Sequence, residues 1–373
     1  MNTKAIKVVF CANSSWYLYN FRRTTIKSFV SAGYDVHCIA PKDNYSEKIE
    51  NMGVCFSSFA FNPNSLNPIK ELITLLNLVK IYLQIRQDYT FNFTPKMNIY
   101  SSLAAQLVNS SIINNISGLG SAFLKKSVFS FFIMILYRIS NLRAKKIFFQ
   151  NKRDMNIFLE KKIIHESKCE LINGSGVNLD EFYFSKMTNV NTIRFILMSR
   201  LIKEKGVYLF ANAARELQKE FPKKLEFVIA GFIDKQKKDA VTMDQVNEWQ
   251  EEGILSYLGP LEDVKDELSK SHCAVLPTFY PEGLPKFLLE SAAMGKIIVA
   301  SNSPGCSEVV DDNINGYLCE PQSLSGLIKC LKKVIKLSDK ERNEMSMKSR
   351  LKAEKMFSDK IIIEKYLNCI QNY

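Results

Sequence analysis

Glu282 and Glu290, with seven residues between them in PTFYPEGLPKFLLESAAMGKIIVASNSPGCSE (277–308), have the spacing in this chain best suited to handling a ligand. Pro285 suits the first position of a helix, where its missing N–H would be unsatisfied anyway, and Gly295 suits the residue just past the end. Glu282 is therefore expected in the loop before a helix and Glu290 on it. A helix N-terminus offers N–H groups and a partial positive charge to a phosphate, while carboxylates accept hydrogen bonds from sugar hydroxyls. The combination points to a sugar nucleotide as the ligand.

Two cations complement it. Arg200 and Lys205 lie in SRLIKEKG (199–206), between a strand, IRFILM (193–198), and a helix over 207–221. There they can clamp a diphosphate, the arginine as a rigid fork and the lysine as a point charge. Lys203 reads better as a surface lysine. The three histidines, His37, His165 and His272, share no spacing that suggests a metal or a triad, and no Asp-x-Asp pair occurs. No metal and no bound cofactor are expected. Nine cysteines without a C-x-x-C pair indicate neither a disulfide framework nor a zinc site, which fits a reducing cytosol. The apolar run Ile6 to Ala12 is too short for a signal segment and reads as a buried strand.

These groups need a frame that presents loops at the ends of strands. KVVFCA (7–12), the loop Asn13-Ser14-Ser15, a helix over 19–32 closed by Gly33, and a strand over 35–40 open a parallel α/β sheet, in which ligands meet the carboxyl ends of the strands. Ser14 and Ser15 either donate to a bound anion or cap the helix; spacing leaves both readings open. A helix over 68–87 carries an apolar excess that predicts burial over much of its surface. TPKMNIY (94–100) opens another helix, and SIINNISGLG (111–120) is a strand running into a Gly-rich turn; Lys96, Asn98, Asn114, Asn115 and Ser117 are candidate acceptor or phosphate contacts there. Further strands are read at 147–150, 170–172, 225–230, 254–258 and 274–276, and the patternless stretch 180–191 reads as the linker between two domains.

At 373 residues the chain is long enough for two full cores. Its net charge of +12 is one-sided: residues 1–190 carry 23 Lys/Arg against 12 Asp/Glu, and the remainder 27 against 26. Such a surface either suits an anionic partner, the acidic lipid of a cytoplasmic membrane rather than nucleic acid, for which no module is visible, or is simply a solvated basic face in a protein of high pI. Between 123 and 154 an apolar run, Val128 to Tyr137 with Phe131 and Phe132, is flanked by Lys125, Lys126 and Arg138. It is too short to span a bilayer; it either lies in the membrane interface or forms a core helix, and periodicity does not separate the two.

Six ordered motifs carry a resemblance: Ser199-Arg200 with Lys205-Gly206, Ala230-Gly231, Gly259-Pro260, Glu282-Gly283-Leu284-Pro285 with Glu290, Pro304-Gly305-Cys306 with Glu308, and Asn315-Gly316-Tyr317. On these the chain resembles the retaining glycosyltransferases of family 4, whose α/β GT-B fold has two facing Rossmann-like domains with a central cleft. NSSWYLYNFR (13–22), TPKMNIY (94–100) and INNISGLGSAF (113–123) resemble the branch that builds bacterial surface polysaccharides and glycans on polyprenyl diphosphate, including transferases of N-acetylgalactosamine or N-acetylfucosamine. The resemblance implies an acceptor-binding, membrane-associating domain over 1–185, a nucleotide-sugar domain over 186–356 and a helix over 357–373 that crosses back. It implies that Arg200 and Lys205 bind the donor diphosphate, that Glu282 holds the transferred sugar and Glu290 the ribose, that Gly283, Leu284 and Pro285 meet phosphate or sugar, and that Tyr257 and Leu258 lie near the base. Many members carry a histidine after the strand that here ends in INNIS; this chain has asparagine and serine there.

The implied function is transfer of an N-acetylhexosamine from a UDP-sugar to a polyprenyl-diphosphate-linked saccharide, at the cytoplasmic face of the inner membrane, with retention through a same-face substitution and charge stabilised without a metal. Two rivals stand beside it. One is a soluble family-4 transferase with a non-lipid acceptor, distinguished by failure to bind anionic liposomes; the other is a non-catalytic donor-binding subunit, distinguished by donor binding without turnover. A dinucleotide oxidoreductase lacks its G-x-G-x-x-G after a strand.

Overall fold

The structure is a computed structural model that describes residues 5–63, 65, 67–118, 128–187, 192–234, 240–280 and 282–371. The chain divides into two compact units, Met1–Ser175 with Asp359–Tyr373, and Gly176–Ser358.

Among the described residues, the first unit is built on seven parallel strands: β1 (Lys7–Cys11), β2 (Asp35–Ile39), β3 (Cys55–Ser57), β4 (Tyr89–Phe93), β5 (Ser111–Ile116), β6 (Ala144–Phe149) and β7 (Cys169–Leu171), in the order β3-β2-β1-β4-β5-β6-β7. Alternate strand residues feed two cores, as the period-two geometry of a strand demands. Val8 and Phe10 join Leu18, Ile26 and Phe29 of the helix Ser15–Ser31 and Ile362, Tyr366 and Ile370 of the C-terminal helix Asp359–Gln371. Val9 and Cys11 face the other core, with the helices Pro68–Ile85, Pro95–Leu107 and Val128–Ser140.

The second unit repeats the plan with β8 (Ile193–Met198), β9 (Leu225–Ala230), β10 (Ser256–Tyr257), β11 (Cys273–Leu276), β12 (Ile297–Ser301) and β13 (Gly316–Cys319), in the order β10-β9-β8-β11-β12-β13. In both sheets the order reverses beside the first strand, at β1/β4 and at β8/β11. Such a switch point parts the loops at the carboxyl ends of neighbouring strands and leaves a crevice for a ligand.

Several sequence expectations shift. The stretch 180–191 is not a free linker as far as it is described: Phe182 and Met187 are buried in the second unit, which the chain enters at Gly176. The first helix begins at Ser15 rather than Tyr19, because Ser14 caps it, its hydroxyl accepting from the Tyr17 N–H at 3.2 Å. The helix Pro68–Ile85 is not buried over most of its surface. It buries Thr74, Leu78, Tyr82 and Ile85 and leaves Ile69, Leu72, Ile73, Leu76 and Leu83 exposed. In the stretch 123–154 the helix Val128–Ser140 places Tyr137 in the core and leaves Phe131 and Phe132 exposed, while Lys125 and Lys126 lie outside the described residues.

Candidate functional site

The loops that follow β8 and β11 are stitched together at the switch point of the second sheet. After β8 the chain makes a short turn, Lys203–Lys205, closed by Gly206 at φ +77°. A Cβ on Gly206 would run into the Pro277 carbonyl, so only glycine lets the two loops approach. The Glu204 carbonyl then accepts from the N–H of Phe279 at 2.8 Å, the N–H of Tyr280 at 3.1 Å and the Thr278 hydroxyl at 3.0 Å. One backbone oxygen thereby fixes the strand-end loop that leads into Glu282.

Within this frame Lys205 Nζ donates to Glu282 Oε1, with both side chains only 12% exposed. The Tyr280 ring lies beside both cations, 5.1 Å from Lys205 Nζ and 5.7 Å from Arg200 Cζ. Arg200 also approaches Asp234 at 3.9 Å. The turn Pro304-Gly305-Cys306 presses on the far side, where a Cβ on Gly305 at φ +88° would strike the Gly283 carbonyl. Its own shape is held by Glu308, which accepts from the Gly305 N–H at 2.6 Å. Burial pushes the Cys306 thiol up to about 12, with the Glu282 charge adding to it, so this cysteine stays a thiol.

The helix after Glu282 runs Lys286–Ala293, one residue later than Pro285 predicts: Pro285 is the residue before the helix and supplies no side-chain cap. A proline there brings no competing oxygen, and the positive end of the helix is left to a ligand. Gly283, Leu284 and Pro285 are buried and brace this start. Glu290 sits one turn in, 8% exposed, with Lys286 Nζ 3.4 Å from its Oε1. Burial raises its pKa above the ordinary carboxylate value, and Lys286 only partly opposes that.

Other predicted residues are put to structural use. The Tyr257 hydroxyl donates to the Gly231 carbonyl at 2.8 Å, and Leu258 N–H to Ile229 at 3.0 Å, which fixes the end of β9. In the first unit Ser15 is buried, bonded to the Pro41 carbonyl at 2.9 Å and to Ser46 at 2.9 Å. Lys96 is held by Glu71 at 2.7 Å and by the Ser65 carbonyl at 2.6 Å. Asn98 and Asn115 are buried and bond each other through Asn98 Nδ2 and the Asn115 carbonyl at 2.8 Å, while Asn115 Oδ1 accepts from Tyr366. Buried amides must find partners, and at the packed ends of β4 and β5 they find one another. Asn114 joins this interior, bonding Asn92 at 2.9 Å and Asn141 at 2.8 Å. Ser117 remains half-buried just past β5.

Three features had no sequence reading. Tyr280 gave no signal beyond its place two residues before Glu282. Thr94 holds φ +73° at the end of β4 with its hydroxyl buried and unbonded. That conformation is strained for a residue with a Cβ, and such strain gathers at functional loops. Arg22 is fully buried and, among the described residues, has no carboxylate partner; it is held by the Tyr17 hydroxyl at 3.2 Å, the Tyr366 hydroxyl at 3.3 Å and the face of Phe93 at 4.2 Å. Among the described residues no group of three or more His, Cys, Asp or Glu could hold a metal ion.

Known proteins match this architecture. The family profile "Glycosyl transferases group 1" matches residues 180–352, and "Glycosyl transferase 4-like" matches residues 7–151. An N,N'-diacetylbacillosaminyl-diphospho-undecaprenol alpha-1,3-N-acetylgalactosaminyltransferase of Campylobacter jejuni is 27% identical, over 97% of each chain. A UDP-Gal:alpha-D-GlcNAc-diphosphoundecaprenol alpha-1,3-galactosyltransferase of Escherichia coli is 23% identical, over 77% of this chain and 76% of its own. In fold, a glycosyltransferase of Rickettsia africae superposes at TM-score 0.79 with 17% identity over 100% of both chains. The Anabaena protein Alr3699/HepE, solved with UDP and glucose, superposes at TM-score 0.79 with 15% identity over 99% of this chain and 100% of its own. The chain therefore has two Rossmann-like units of the GT-B type, a glycosyl transferase 4-like domain followed by a group 1 domain, and belongs among the glycosyltransferases.

Proposed function

We propose that this protein is a retaining, metal-independent transferase that moves an N-acetylhexosamine from a UDP-sugar to a polyprenyl-diphosphate-linked saccharide during assembly of a surface polysaccharide or glycan. The observation that carries the proposal is the Lys205–Glu282 pair at the β8/β11 switch point, flanked by Arg200 and by an uncapped helix start. Arg200, Lys205 and the N–H groups at that start meet the donor diphosphate. As the glycosidic bond breaks, negative charge grows on the leaving phosphate, and donors already fixed in place stabilise it without reorganising. Glu282, released from Lys205 as the phosphate takes over the lysine, accepts from hydroxyls of the transferred sugar. Glu290, buried one turn further on, accepts from the ribose.

The acceptor class is supported by the Campylobacter and Escherichia relatives, both of which by name act on diphospho-undecaprenol sugars. Peripheral association with the inner face of the cytoplasmic membrane belongs to the same proposal. Phe131, Phe132 and Arg138 are exposed on the helix Val128–Ser140, and no helix among the described residues is long and apolar enough to cross a bilayer.

The test is transfer in detergent from a panel of labelled UDP-sugars to polyprenyl-diphosphate sugars, with the anomer read by NMR and a chelator added in parallel. Glu282→Ala and Lys205→Ala are each expected to lower kcat/KM by at least about tenfold, the loss of one charged contact to a developing charge. Turnover like that of the unaltered protein in both variants refutes the assignment, an inverted anomer refutes retention, and loss of activity with chelator refutes metal independence.

A further inference from the structure

The helix Pro68–Ile85 carries more apolar side chains than one buried face needs. The fold covers one side. On the other, Ile69 is 70% exposed, Leu72 55%, Leu76 58% and Leu83 57%, recurring every third or fourth residue and every seventh. Large apolar side chains on one outward face, interrupted here by Lys80 between Leu76 and Leu83, mark a surface that meets something apolar. The helix Val128–Ser140 lies on the same side of the sheet, since both contribute to the core formed with Val9 and Cys11. Its outward residues, Phe131, Ile135 and Ile139, form a second stripe.

Charge and topology narrow the occupant. Lys70 and Lys80 stand exposed on the first helix with Arg86 just past its end, and Arg138 on the second with Arg143 three residues beyond it. Residues 101–150 carry no acidic side chain, and Glu71, the one acid within Pro68–Ile85, is already paired with Lys96 at 2.7 Å. An apolar stripe edged by cations and free of unpaired acids fits anionic lipid, headgroups on the cations and acyl chains on the stripe. In a parallel sheet each helix runs back against the strands, so a crossover helix begins at their carboxyl ends. Ile69, Leu72, Ile73 and Leu76 fall in the first half of their helix, and Phe131 and Phe132 in the first half of theirs. The apolar surface is therefore densest at the end of the sheet where the binding loops lie.

We propose that Pro68–Ile85 is a membrane-docking helix that lies in the interface of an anionic bilayer together with Val128–Ser140, holding the carboxyl ends of β4 and β5 toward the lipid surface. The proposal deepens the peripheral association stated above and rests on it. An acceptor on a lipid carrier then reaches the loops while its hydrocarbon stays in the bilayer.

The test is flotation of the full-length protein with vesicles of phosphatidylethanolamine and phosphatidylglycerol. A Leu72→Glu/Leu76→Glu variant is expected to lose vesicle binding by about tenfold or more, since two exposed leucines are replaced by charges facing anionic lipid. Its circular dichroism and its turnover of a short-chain, water-soluble acceptor are expected to match the unaltered protein. Flotation of this variant at the unaltered level overturns the proposal. So does a dimer at micromolar concentration that the variant abolishes, because the stripe then serves a second copy. Glu282→Ala keeps the lipid surface intact and floats normally, so a protein that floats but transfers no sugar sinks the transferase reading alone.

Discussion

Burial raises the proton affinity of Glu290, and a carboxyl whose pKa is higher folded than unfolded supplies stability that is present at low pH and lost as pH rises through the raised value. Ionising Glu290 above that raised value is therefore a cost to the fold, and in the function proposed above it is the ionised carboxylate that accepts from the ribose. Glu290→Gln is expected to raise Tm while weakening UDP-donor binding by about tenfold or more, in line with the 1.5–3 kcal/mol of a hydrogen bond to a charged group. Calorimetry of Glu290→Gln beside the unaltered protein checks this, and a lower Tm with unchanged donor affinity contradicts it. At this scale the sequence reading was right about local placement that is written as spacing along one chain: Glu282 lies in the loop before a helix and Glu290 on it. It could not see partners brought by folding. Nothing local to Tyr280 says that its ring will lie beside Arg200 and Lys205, and nothing local to Asn98 and Asn115 says that they will satisfy each other inside the first unit.

Between elements, His272 ties three strands at their amino ends. Its N–H donates to the Arg194 carbonyl of β8 at 2.9 Å, its Nδ1 accepts from the Arg194 N–H at 3.0 Å, and its carbonyl accepts from Ile297 of β12 at 3.2 Å. Burial, then the positive charges of Lys296, Arg342 and Arg194, depress the imidazole from 6.5 to about 4. With the folded value below the unfolded one, the neutral ring stabilises the fold above about pH 6.5, and that contribution is lost as pH falls toward 4. The loss amounts to at most about 3 kcal/mol. Urea midpoints across this window, compared between the unaltered protein and His272→Asn, are expected to converge toward the acid end; parallel curves refute the assignment. Elements with strong local signals, such as IRFILM and LEFVIA, were legible to the residue. The helix Pro68–Ile85 was legible as a helix but misjudged in burial, because an apolar excess reports what the helix needs around it and not whether this chain supplies it.

For the whole molecule, two α/β halves were legible from strand and helix alternation, but the place where one ends was not, because apolar residues inside a polar, aperiodic stretch give no signal until they find a core. Val177 and Phe182 find theirs in the second unit, and the Val177 N–H reaches the Phe357 carbonyl at 2.8 Å, so that unit begins and ends at one place. The first unit is completed only by Asp359–Gln371, which brings Ile362, Tyr366 and Ile370 into its core and supplies the hydroxyl that both Arg22 and Asn115 use. The two units are thus unequal as folding bodies despite similar sheets. A fragment of residues 176–358 is expected to unfold cooperatively in urea and to bind UDP. A fragment of residues 1–175 leaves a buried guanidinium without its tyrosine and opens a gap where Tyr366 stood, a loss on the scale of 3–5 kcal/mol for a large aromatic side chain alone. It is expected to unfold at much lower urea and to recover when a peptide of residues 359–373 is added in excess, as mass action on a folded-state ligand requires. Circular dichroism with and without the peptide decides the matter: a 1–175 fragment that is stable alone and indifferent to the peptide would remove the last helix from the first unit's core.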